Sequence, residues 1–164
     1  MAVKSEHINE IAPPIDFGGN QLDPVLEQVL QHVRLRAWRR IAWLRKLWSE
    51  SNTAANGHTF HTEVDGYLGN IDTPPAEFNW YSREESLQSL NKSIAETQLA
   101  LISDNQSRWT LFHQIFGLSR AESDLLQACV ALAIEPNFGR IYAYLQDHSG
   151  RGYVTEELAA RLFG

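Results

Sequence analysis

SRAESDLLQACVALAIEPNFGRIYAYLQD, residues Ser119 to Asp147, decides the fold class. Ser119 and Glu122 stand at the reciprocal spacing of a capping box: the hydroxyl accepts from a first-turn amide while the carboxylate reaches back to the cap. Behind them Leu125, Leu126, Cys129, Leu132 and Ala133 recur at helical steps, which predicts a helix that buries this stripe and places Cys129 in the core. Pro136 cannot continue that helix but can start another, so a second helix is expected with Phe138, Ile141, Tyr142 and Leu145 facing inward. The pair has helix-turn-helix proportions.

Working outward, Gly150 and Gly152 read as a tight connection, with Gly150 to Val154 as a wing, and Thr155 caps a last helix carrying Leu158, Ala159, Leu162 and Phe163. Upstream, Trp109, Leu111, Phe112, Ile115 and Phe116 form a short apolar helix that stops at Gly117, a residue suited to the left-handed C-terminal position. Ser82 and Glu85 repeat the capping-box spacing and open a helix with Leu87, Leu90, Ile94 and Leu101 in register, running to about Asp104. Residues 52–81 are the least regular and read as an ordered linker with a short helix from Thr62 to Leu68. Asp23 followed by Pro24 starts a long helix over 24–51, in which Leu26, Leu30, Val33, Ala37, Ile41, Leu44 and Trp48 recur at steps of three or four. Residues 1–23, with Pro13-Pro14 and Gly18-Gly19, read as an arm. The expected class is all-α: about six helices, one long N-terminal helix, and a C-terminal helix-turn-helix or winged-helix-like bundle over 82–164.

A chain of 164 residues with 43% hydrophobic content can build a core of its own. Its single Cys129 excludes a disulfide framework, and the absence of a long apolar run or a signal-type start leads to the expectation of a cytoplasmic protein with no membrane span. His58, His61 and Glu63 are the one metal-like grouping, but no third strong ligand follows at a recognised spacing, so they read as loop polar residues. Neighbouring carboxylates Glu84-Glu85 and Glu156-Glu157 fall in first helical turns, where the helix dipole accounts for them. No GxxxxGK[ST] is present, so the chain is not expected to hydrolyse ATP by itself, and no catalytic, cofactor or metal site is expected in it.

Charge is divided unevenly. Residues 24–50 hold six bases against two acids, whereas residues 51–164 hold seven against fourteen, within a formal net charge of -6. A basic helix in an acidic protein complements the remainder of the chain or a partner. The basic and apolar residues Arg36, Arg39, Arg40, Trp43, Arg45, Leu47 and Trp48 are therefore the candidate partner surface, with a homo-oligomer through the long helix as one use. Nucleic-acid binding by helix 34–46 is the alternative, since cations neutralise phosphates and indoles stack on bases. The acidic balance weighs against it.

FGLSRAESDLLQACVALAIEP (Phe116 to Pro136), GRIYAYLQD (Gly139 to Asp147) and TEELAARLF (Thr155 to Phe163) together resemble the N-terminal winged-helix domain of AAA-type ATPases of phage-tail-like contractile injection systems. The matching residues are Phe116, Leu118, Glu122, Leu125, Leu126, Pro136, Arg140, Tyr142, Ala143, Tyr144, Leu145, Gln146, Asp147 and Leu162. The resemblance covers the last third closely and the rest by architecture only. It departs at His148 to Val154, which is less basic than such domains, and over residues 62–81. It implies a non-catalytic front domain of a longer ring-forming ATPase. Its partner would be its own ATPase module, a neighbouring ring subunit or a tail component.

Overall fold

Asp23 opens the longest element: its Oδ1 accepts from the Val25 amide at 3.1 Å, and helix α1 runs over Pro24–Ala54. The computed structural model describes residues 22–54, 69, 72–103 and 105–164. The arm as far as residue 21, the expected helix at 62–68 and the grouping of His58, His61 and Glu63 lie outside the described residues.

After α1 come α2 (Pro74–Arg83), a 3-10 turn (Glu85–Leu87), α3 (Gln88–Ser103), α4 (Arg108–Phe116), α5 (Arg120–Ile134), α6 (Phe138–Leu145) and α7 (Glu156–Phe163). Among the described residues there is no strand. The fold is all-α, as its sequence predicts, with α1 as the axis against which α2, α3, α5, α6 and α7 pack. Arg36 on α1 meets Gln98 on α3, while Asn91 near the start of α3 bonds the Tyr81 carbonyl and Arg39 covers the Tyr81 ring. The two long helices therefore run antiparallel.

Several expected caps are present. Ser119 and Glu122 make the full capping box, Thr155 Oγ1 accepts from the Leu158 amide at 3.1 Å, and Gly117 ends α4 at φ 59. All four inward residues expected of α7 are buried.

Three local expectations need correction. The last part of the expected linker is helical: Thr73 caps α2, and Pro74 and Pro75 occupy its first turn, where a missing N–H costs nothing. Ser82 consequently lies inside α2 and bonds the Phe78 carbonyl at 2.6 Å instead of capping α3. On α5 the buried residues are Gln127, Ala128 and Ala131, not the leucine stripe, and Cys129 is exposed. On this buried face Gln127 meets His32 of α1, and the Ala128 carbonyl accepts from the Tyr142 hydroxyl at 2.8 Å.

The stretch between α6 and α7 is held without a strand. Gln146 Nε2 donates to the Arg151 and Tyr153 carbonyls at 2.9 and 3.0 Å, and its Oε1 accepts from Thr155 Oγ1 at 2.7 Å. Gly152 passes so near the start of α6 that a Cβ at Gly139 would stand 3.1 Å from its carbonyl oxygen. The segment expected as a wing, Gly150 to Val154, thus carries no strand: one amide side chain does the work of a β-ladder.

Candidate functional site

The basic helix divides into an inner and an outer face. Val25, Val29, His32, Arg36, Arg40 and Trp43 follow one another at steps of three or four, and all are buried. The polar members of that stripe are satisfied from inside the molecule. Arg40 donates to Glu77 Oε2 at 2.8 Å and makes a two-pronged contact with Asp72 at 2.7 and 2.9 Å. Trp43 Nε1 donates to the same carboxylate at 2.8 Å, and Arg161 of α7 pairs with both Asp72 and Glu77. Burial alone would raise the Asp72 carboxyl, but the hydrogen bonds from Arg40 and Trp43 and the two guanidinium charges hold it well below the usual range. Tyr81 donates to Glu77, and burial followed by that carboxylate pushes its phenol well above the ordinary value. Two arginines and two carboxylates thus fasten α1, α2 and α7 together.

Arg36 has no contacting carboxylate among the described residues. It donates to the Leu162 and Phe163 carbonyls at 3.4 and 3.0 Å, to Gln98 at 3.1 Å and to His32 Nε2 at 3.0 Å, closing the C-terminal end of α7. Burial, then the Arg39 charge, lowers its guanidinium to about 10. His32 Nδ1 faces Gln127 Oε1 at 2.9 Å, so the neutral ring donates there and accepts from Arg36. Burial pulls the His32 pKa down to about 4, and the neighbouring Arg36 and Arg39 charges act in the same direction.

The proposed surface is therefore split by the structure. Arg36, Arg40 and Trp43 are internal and cannot be presented to a partner, because their polar atoms are spent on the fold. Arg39 is half-buried over the Tyr81 ring, Leu47 is half-buried, and Arg45 and Trp48 are exposed, Trp48 meeting Tyr144 of α6 at 5.2 Å between ring centroids. Sequence reasoning missed His32, Asp72, Glu77, Gln127 and Arg161. A usable signal existed in the opposite charges of residues 24–50 and 51–164.

Two other surfaces stand out. Helix α4 buries none of its residues, and Leu111, Phe112, Ile115 and Phe116 are 45%, 41%, 76% and 64% exposed. Between α5 and α7 lies a groove of about 610 Å³ with Ala121, Leu125, Ala159, Ala160 and Phe163 among its lining and Glu122, Asp124 and Glu156 beside them. Among the described residues no group of three or more His, Cys, Asp or Glu could hold a metal ion, and no helix is long and apolar enough to cross a membrane.

Fold and surfaces together define a helical winged-helix-type domain built around one long helix. Residues 26–164 match the family model described as winged helix domain, variant, and the chain belongs to that family. Neither the curated proteins nor the solved structures contain a match.

Proposed function

We propose that the chain is a non-catalytic, partner-binding and regulatory front domain of an AAA-type ATPase of a contractile injection system. The observation that carries the binding role is α4: Trp109 packs against the core, but Leu111, Phe112, Ile115 and Phe116 are all exposed. A stable domain gains nothing from exposing two phenylalanines, an isoleucine and a leucine side by side unless another surface covers them. The ATPase context rests on the three C-terminal segments that resemble such domains in order and spacing. On α1 the exposed Arg45 and Trp48, with half-buried Leu47 and beside Tyr144, are the contact proposed for the ATPase module, a ring subunit or a tail component.

The test has two arms. Incubated with ATP and magnesium, the chain alone releases no phosphate; sustained release would overturn the non-catalytic reading. An AAA module encoded with it binds the chain, and Trp48→Ala weakens that binding roughly tenfold while leaving the far-UV circular dichroism unchanged. A coding region with no ATPase module in or beside it would remove the proposed context.

A further inference from the structure

These two surfaces, left uncovered by the described residues, are opposite in form and charge. Arg108, Leu111, Phe112, Ile115 and Phe116 recur at spacings of three and four along α4, which sets them on one convex face with the arginine at its first turn. Between Asn105 and Ala121 the chain has Arg108 and Arg120 but no acid. The groove between α5 and α7 has the opposite character. Its apolar residues are accompanied by three carboxylates, Glu122, Asp124 and Glu156, and by one cation, Arg120, whose Nε stands 4.0 Å from Asp124. The Asp124 side chain is 20% exposed, and burial raises its carboxyl above the ordinary range despite Arg120 and Arg36 nearby. Its one ion pair among the described residues is the long contact with the largely exposed Arg120.

We propose that the groove between α5 and α7 receives the α4 ridge of a second copy of this chain, with Ile115 and Phe116 against Leu125 and Ala160 and Arg108 toward the acidic rim. His113 of α4 bonds Ser123 of α5 at 2.8 Å, whereas the groove is lined from α5 by Arg120, Ala121, Asp124 and Leu125, which lie on a different face of that helix. Ridge and groove are thus different patches of one molecule. Contact between them is head-to-tail, and each added copy leaves a free ridge at one end and a free groove at the other. This goes beyond the proposed function, because it concerns the chain with itself and needs no ATPase module.

Sedimentation of the 164-residue chain over a concentration series tests it. The wild type is expected to grow past a dimer as concentration rises, and Ile115→Glu in the ridge or Ala160→Arg in the groove each weaken association roughly tenfold or more. Both positions are exposed, and circular dichroism verifies the fold; Glu156→Arg serves for the groove if Ala160→Arg does not fold. An equimolar mixture of the ridge variant with the groove variant retains one intact half from each, so it forms dimers that do not grow. A wild type that stays monomeric overturns the proposal. So does a mixture that fails to pair, or a groove variant that associates as the wild type does, the signature of symmetric α4-to-α4 contact.

Discussion

His32 shows what a polar residue on a core stripe does to the whole chain's stability. Its ring is 2% exposed and works as a neutral relay, donating to Gln127 and accepting from Arg36. Protonation would place an N–H against the Arg36 guanidinium in a buried site. The folded-state pKa of about 4 lies below the ordinary 6.5, so the unfolded chain takes the proton first. The resulting stability is complete above pH 6.5 and is lost as the pH falls toward 4, by about 3 kcal/mol in all. Urea unfolding at a series of pH values should show this slope, and His32→Gln should flatten it even though its starting stability is lower. Equal wild-type stability across the window would contradict the relay. Apolar periodicity alone does not reveal this role. Steps of three and four from Val25 through Val29, His32, Arg36 and Arg40 to Trp43 are just as regular, and a hydrophobic template skips their polar members.

At the scale of elements, legibility depended on whether a cap belonged to one helix or two. Ser119–Glu122 and Thr155 lie beside segments with a single periodic reading, and both act where expected. Pro74-Pro75 carried two meanings, loop punctuation and a helix first turn, and Thr73 ahead of it decides for the helix. Once α2 extends to Arg83, Ser82 is no longer free to cap anything. The face of α5 is hard to read for another reason: leucines mark hydrophobicity, but the residues this helix buries are Gln127, which meets His32 of α1, and the small Ala128 and Ala131. Gln146 is the element-scale feature most open to measurement. Replacing it by Leu removes the two bonds to the Arg151 and Tyr153 carbonyls and the one from Thr155, at a cost of about 2 kcal/mol. Amide exchange over residues 150–155 should accelerate in Gln146→Leu while exchange in the middle of α3 follows only the global loss. Uniform acceleration through the molecule would show that the connection is held by packing instead.

For the molecule as a whole, the decisive quantity is how many cations of α1 remain for a partner. Arg34 is paired with Glu135 at 2.6 Å, Arg40 with Asp72 and Glu77, and Lys46 with Glu50 at 2.8 Å, while Arg36 closes α7. Judged among the described residues, a helix with six bases therefore offers Arg45 and part of Arg39 from a chain whose net charge is -6. A winged-helix module is a candidate for nucleic-acid binding, and the exposed Arg140 and Arg151 stand in the first turn of α6 and beyond its end. Against them stands the long-range repulsion of the acidic surface, which low salt strengthens together with any attraction. A labelled duplex or single strand should therefore show no anisotropy change with this chain at low ionic strength, where counterion release would favour complex formation most. Binding there that weakens steeply as salt is added would mean that the few remaining arginines form a phosphate-tracking surface, and would move the function from protein docking to nucleic-acid recognition.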